Sequence, residues 1–252
     1  MTETSDDIYE DRAVAFLDIL GFEKLVNDGR VPTILSAMSI IDRRISEIED
    51  APRANVVISQ FSDCLIFSAP NDRDGMPYLL YFTAILASEL FLNGIWCRGG
   101  IATGQLHHRG NVAFGPALIE AYKMESQLAI YPRILVKWAT AERFVELRNE
   151  YLPKHKRTGL GAFFRKDFDR HLHLDIFSPK LSLPQESGLI RETTVRTIES
   201  HLIDKIDVSD AIETQKVQAK LNWISTYMHY VDEVHGDWHI KIANKGPQPE
   251  SY

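Results

Sequence analysis

The sequence predicts an α+β fold, an α/β sandwich on a ferredoxin-like split βαβ sheet, with a C-terminal helical extension. Three observations predict it. Short β-branched and apolar runs recur along the chain, with one amphipathic and one wholly apolar helical stretch between them. The runs "NVVISQ" (55–60) and "CLIFSA" (64–69) are separated only by Phe61, Ser62 and Asp63, the length of a tight hairpin. The elements follow one another as β-α-β-β-α-β-β-α-β-α, with a crossover helix before the hairpin and a second helix after it, which is the split βαβ order.

The first strand covers 13–19, inside "AVAFLDILGFEKLV". A helix over 32–49 follows, because Ile34, Leu35, Met38, Ile41, Ile45 and Ile48 fall on one stripe and Pro32 suits its first turn. The hairpin strands come next, then a turn, "PNDRDG" (70–75). The segment 76–92, "MPYLLYFTAILASELFL", is marginally short for a membrane span and contains Glu89, so it predicts a buried helix that stops at Asn93-Gly94. In "IWCRGGIATGQLH" (95–107) the glycine pair predicts a strand with a close backbone approach or a bulge. "HRGN" (108–111) is a turn, "VAFG" (112–115) leads into a helix over about 116–129, "RILVK" (133–137) is a strand, and 139–152 is a helix.

The texture changes after about 153. A basic, glycine-containing loop precedes "RHLHLDIF" (170–177), which alternates like a strand. A Pro- and Ser-rich connection leads to helical patterns over 189–206 and 209–234. The expected organisation is a disordered acidic N-terminus (1–12), a main domain (13–152), a strand and helical extension (153–240) and a disordered tail (241–252).

Of the 252 residues, 44% are hydrophobic and 25% charged, enough for a sizeable core without structural metals or disulfides. A formal charge of −7 leaves no broad basic face for a nucleic-acid polymer. Cys64 and Cys97 both fall in predicted strands and read as reduced cysteines of a cytoplasmic protein. The polar, acidic start is not a signal peptide, and no membrane partner is expected. Neither "HLH" (171–173) nor "HYVDEVHGDWH" (229–239) has the spacing of a histidine metal site, and no P-loop ending is present.

Asp18 interrupts an apolar strand, and a buried carboxylate requires a partner or a cation. In the split βαβ order the first strand pairs beside the hairpin, which brings Asp18 toward Asp63 at the hairpin tip. Two such carboxylates repel unless protonated or bridged by cations, and hard divalent ions favour oxygen donors. Spacing alone leaves a second reading open, in which Asp18 caps a turn and Asp63 is an exposed hairpin residue. Arg98 is a nucleotide contact or a salt bridge at the edge of the core. Tyr122 is a contact or plain packing, and Glu120 and Glu125 read as solvated or interface charges.

Four segments taken together resemble class III nucleotidyl cyclases. "FLDILGF" (16–22) resembles that family's first strand, and "SQFSDCLIF" (59–67) its second motif, with Ser62-Asp63 where Gly-Asp is usual. "CRGGIATGQL" (97–106) and "FGPALIEAYKMES" (114–126) are similar to its third and fourth motifs, in family order. The resemblance implies two divalent metal ions, Mg²⁺ or Mn²⁺, held by Asp18, the Ile19 carbonyl and Asp63. It implies Lys123 and Arg98 as catalytic charges, Phe22, Ser59, Phe61 and Tyr122 as substrate contacts, and a homodimer with shared sites. The purine-selecting lysine and aspartate of the family map onto Ser59 and Val112, its ribose-orienting asparagine onto Ile119, and its transition-state arginine onto Lys123. These departures, and the "GPALIEAYKMES" segment, resemble the bacterial Pycsar antiphage cyclases. That resemblance implies a pyrimidine nucleoside triphosphate as substrate, cyclic UMP ahead of cyclic CMP as product, and a separate effector that reads the signal. The alternative is a catalytically inactive nucleotide-binding module of the same fold.

Overall fold

The computed structural model describes residues 8–49, 55–150, 152–178, 181 and 211–235. Strand β1 (Glu10–Ile19) is an interior strand of the sheet. A short helix α1 (Phe22–Asn27) and α2 (Val31–Glu49) lead to the hairpin β2 (Val57–Phe61) and β3 (Cys64–Pro70). Helix α3 (Gly75–Leu92) returns the chain to β4 (Cys97–Arg109), which pairs with β5 (Val112–Phe114). Helix α4 (Pro116–Lys123) runs into a π-turn, Met124–Leu128. Then come β6 (Ile134–Val136), α5 (Trp138–Asn149), β7 (Phe164–Lys166), β8 (Leu172–Leu174) and α6 (Ala211–His235). The strands lie side by side as β2-β3-β1-β4-β6-β8-β7. β1 is antiparallel to β3 and β4, whereas β4 and β6 are parallel. The mixed α+β sheet agrees with the predicted class.

Alternation along β1 divides the molecule. Ala13, Ala15, Leu17 and Ile19 enter the larger core, with Ile41, Leu79 and Leu80 of α2 and α3. Val14 and Phe16 face the opposite way, into a smaller core with Ala117, Ala121 and Met124. Gly100 permits that second layer, because a Cβ there would collide with the Ala121 carbonyl and the Met124 Cβ. The predicted close approach at the glycine pair is therefore α4 lying directly on β4. Helix α3 is long and apolar enough to cross a membrane, but 78% of it is buried inside the protein, as a core helix would be. Its Glu89 accepts from Arg44 Nε of α2 at 2.6 Å and pairs with Arg43.

Several expectations are corrected. Glu10, Asp11 and Arg12 are not a disordered leader but the opening of β1, and Arg12 is buried. The buried face of α2 runs through Ala37, Ile40, Ile41 and Arg44, while Leu35 is 63% exposed. The Arg44–Glu89 pair turns that face toward α3, so the apolar stripe was not the whole buried line. "RHLHLDIF" is not a half-exposed strand: 172–177 are all buried, and only Leu172–Leu174 form β8.

The sheet also crosses the expected boundary at 152. β7 and β8 extend it beyond β6, and α6 is fastened to that extension. Trp223 Nε1 donates to Asp167 at 2.6 Å, and Asp167 also pairs with the buried Arg133. The Tyr227 hydroxyl donates to buried Asp175 at 2.6 Å. The expected helix at 189–206 and the tail at 241–252 lie outside the described residues, as do residues 1–7.

Candidate active site

Asp18 is the last but one residue of β1, on the same face as Phe16 and Val14. Its strand neighbours are Cys64 on β3 and Arg98 on β4. Asp63 is the second residue of the two-residue turn between Phe61 and Cys64, and its carbonyl accepts from the Ile19 amide at 3.3 Å. Ser62 before it has φ 55°, a left-handed conformation that glycine adopts more cheaply. An oxygen of Asp18, an oxygen of Asp63 and the Cys64 sulfur all lie within 4.8 Å of one another. The two aspartates thus meet as the strand order implied.

A third carboxylate joins them. Glu125, in the π-turn after α4, has a side chain only 4% exposed. It had read as a solvated or interface charge, but the chain from α4 turns it inward under the sheet. Arg98 Nε donates to Asp18 Oδ2 at 3.1 Å and lies 2.7 Å from Glu125 Oε1. That nitrogen carries a single hydrogen. It is aimed at Asp18, so the Glu125 contact is ionic, and Oε1 is buried without a hydrogen bond.

The electrostatics follow from this crowding. Burial raises the Asp18 carboxyl above its ordinary range; Arg98 opposes the rise and Asp63 adds to it. Burial pushes Glu125 up to about 7, again opposed by Arg98 and reinforced by Asp18. Burial and the neighbouring aspartates push the Cys64 thiol up to about 12, so it stays protonated beside Asp18 Oδ1, at 3.8 Å. A protonated thiol is a poor ligand for a hard ion, whereas the carboxylates are good ones. The donor set, with its orphaned buried oxygen, fits Mg²⁺ or Mn²⁺.

The other expected residues separate into groups. Ile19 buries its side chain in the larger core, so only its main chain is available to the site. Phe61 is 83% exposed at the hairpin, and Tyr122 projects from α4 with its edge on Phe16 at 5.5 Å. Lys123 is exposed at the end of α4. Phe22 is a correction: it packs on the larger core, because α1 folds back against that face.

Ser59 is the second correction. It lies on the same sheet face as Asp18, but its hydroxyl is already used. Ser59 Oγ donates to the Gly110 carbonyl at 2.8 Å. The His108 ring therefore donates through Nε2 to Ser59 Oγ at 2.9 Å, and Nδ1 accepts from Ser68 Oγ at 2.8 Å. Ser68 Oγ in turn accepts from Arg12 Nε at 3.0 Å. Burial, then the Arg12 charge, hold His108 down at about 4, in the neutral form this chain requires. Sequence reasoning missed the chain because its members are 40 to 56 residues apart.

No protein-family model matches the chain, and no curated protein matches it. Solved structures do resemble it. A bacterial light-regulated adenylyl cyclase is 17% identical, with 73% of this chain and 98% of that one covered and a TM-score of 0.42. The adenylyl cyclase CyaB from P. aeruginosa is 16% identical, covering 66% and 92%, with a TM-score of 0.44. A class III adenylyl cyclase-like ATP-binding protein from Pseudomonas aeruginosa is 13% identical, covering 78% and 44%, also at 0.44. Values this low do not say what the chain does; that must come from its own residues.

Proposed function

We propose that this chain is a metal-dependent nucleotidyl cyclase of the class III kind, acting on a pyrimidine nucleoside triphosphate, UTP ahead of CTP. It would release the 3′,5′-cyclic nucleotide and pyrophosphate in the cytoplasm, as a signal in antiphage defence read by a separate effector. The observation that carries the reading is the convergence of Asp18 and Asp63 at one end of the sheet, with an orphaned Glu125 oxygen behind them.

Asp18, Asp63 and the Ile19 carbonyl would hold the cations. Divalent ions there would make the ribose 3′-hydroxyl easier to deprotonate and would neutralise the leaving pyrophosphate. The 3′-oxygen attacks the α-phosphorus, the bond to the β-phosphate oxygen breaks, and the hydroxyl proton passes to solvent. Lys123, exposed at the end of α4, supplies positive charge to the phosphates from outside the carboxylate cluster. Val112, Phe114, Ile119 and Tyr122 are each 44–57% exposed on β5 and α4. They supply an apolar surface for a homodimer, in which Lys123 would serve the partner's site. Ile119→Asp should yield a monomer by light scattering.

The pyrimidine preference is argued by subtraction. The two positions expected to read a purine offer nothing to its edge: Ser59 is spent on His108 and Gly110, and Val112 is apolar. Each missing partner costs a purine about 1–3 kcal/mol. The decisive experiment incubates the protein with UTP, CTP, ATP and GTP and Mn²⁺ and identifies products by mass spectrometry. Cyclic UMP should dominate; cyclic CMP would correct only the last step, and cyclic AMP or cyclic GMP would overturn the pyrimidine reading. One observation favours the inactive module instead: Arg98 already neutralises part of Asp18. Nucleotide binding with no product from any of the four would support it.

A further inference from the structure

Arg98 occupies an unusual position. It faces Asp18 across the β1–β4 ladder and lies within ionic contact of Glu125, so two carboxylates share one guanidinium, with Asp63 beside Asp18. Its Nε hydrogen serves Asp18, while Glu125 Oε1, 2.7 Å from the same nitrogen, is buried and has no hydrogen bond. A fully satisfied structural network would not leave that oxygen empty, because an orphaned buried acceptor costs free energy. The vacancy becomes intelligible if Arg98 has two stations and the structure shows it at one of them.

We propose that Arg98 is a resident counter-ion that holds Asp18 in the metal-free protein, and that Glu125 is the acceptor that receives its Nε–H when a divalent cation takes the Asp18 carboxylate. This rests on the metal reading given above and adds two positioning roles to it. The exchange needs no large motion, because both acceptors already lie within 3.1 Å of the same nitrogen. No bond other than hydrogen bonds and metal–oxygen contacts is made or broken. Metal binding is therefore opposed by the Arg98–Asp18 contact and favoured by the Glu125 station. Glu125 matters to the metal mainly through Arg98.

The test is a double-mutant cycle on Mn²⁺ affinity, measured by calorimetry without nucleotide, with the fold of each metal-free variant checked by circular dichroism. Arg98→Met should tighten Mn²⁺ about tenfold, since nothing then competes for Asp18, and Glu125→Gln should weaken it about tenfold. In the Arg98→Met background, Glu125→Gln should change the affinity less than about threefold. Equal effects of Glu125→Gln in both backgrounds would mean plain charge repulsion and attraction and would overturn the exchange. So would unchanged or weaker Mn²⁺ binding by Arg98→Met while the wild type binds. Failure of both the wild type and Arg98→Met to bind Mn²⁺ would instead remove the metal reading itself, and the exchange with it. If Arg98→Met does not fold, the Arg98 Nε–H resonance decides, assigned by its loss in Arg98→Lys. It should move on Mg²⁺ saturation of the wild type, and a resonance that stays in place overturns the exchange.

Discussion

Two polar clusters lie on the same face of the same sheet, six residues apart along β1 and so roughly 20 Å from one another. At the Arg12 end, Arg12 Nε donates to Ser68, Ser68 to His108, His108 to Ser59, and Ser59 to the Gly110 carbonyl. Every hydrogen in that chain has an acceptor, and the chain ends on a group that cannot donate. At the Asp18 end, Asp18 and Glu125 share one guanidinium, Asp63 lies beside Asp18, and a buried oxygen of Glu125 has no hydrogen-bond donor. The first arrangement closes on itself and holds the β4–β5 hairpin over the sheet. The second is left with surplus negative charge, which is stable only if something positive completes it. The contrast separates polar groups that satisfy one another from a carboxylate cluster that does not.

The sharpest way to break the contrast is to neutralise the open end. If the proposed cyclase reading holds, Asp18→Asn and Asp63→Asn should each reduce cyclisation by roughly three orders of magnitude or more, since these two carboxylates would hold the cations. Asp18→Asn should not lower the metal-free unfolding midpoint, because the carboxylate it removes is penalised by burial. Near-normal turnover in either variant would remove the metal assignment. The closed end should answer in the opposite sense. Arg12→Met should cost about 3 kcal/mol in denaturant unfolding, because it strands the buried Ser68 hydroxyl and carbonyl acceptors and leaves the Asn55 carbonyl without its donor. Activity per folded molecule should be kept.

Acid separates the two ends further. His108 is held at about 4 when folded, against an ordinary value near 6.5, so below that value the unfolded chain binds the proton more readily. The stability contributed by neutral His108 should be complete above about pH 6.5 and lost as the pH falls toward about 4. Denaturant titrations at pH 7 and pH 4.5 should show this loss, and His108→Gln should remove that part of it; an unchanged slope would refute the neutral state of His108 in the folded protein.

Ser59→Ala is a smaller change with a specific meaning. It should cost about 1 kcal/mol of stability and leave the ratio of UTP to ATP turnover as it was, because the hydroxyl serves His108 and not the base. A changed base preference would return Ser59 to the substrate. Smallest of all, Ser62→Gly should relieve the left-handed tip by up to about 1 kcal/mol, read as a small rise in melting temperature.

The meeting of Asp18 and Asp63 was legible in the sequence because it depends on local signals. An aspartate inside an apolar run and another at a tight hairpin become neighbours once the strand order is known. Ser59 was misread because its position in a motif says nothing of what the β4–β5 hairpin brings down onto it. Glu125 was missed because a charged residue inside the expected helix over 116–129 is normally solvated; only the π-turn of Met124–Leu128 directs it under the sheet. Phe22 was assigned to the substrate because it closes the first motif, whereas α1 turns it to the other core.

The sequence by itself determined the α+β class, the order of the central strands, the hairpin that carries Asp63 and a close backbone approach at the Gly99-Gly100 pair. Those features follow from periodicity, turn chemistry and the absence of a Cβ, all of which act over a few residues. The tertiary structure alone decided that 164–174 extends the same sheet, that Arg12 and His108 form a closed chain, and that Arg98 stands between Asp18 and Glu125. The reason is that a hydrogen bond or an ion pair between residues tens of positions apart leaves no local pattern in the chain. Its partners are chosen by the strand register and by the direction in which each helix end turns.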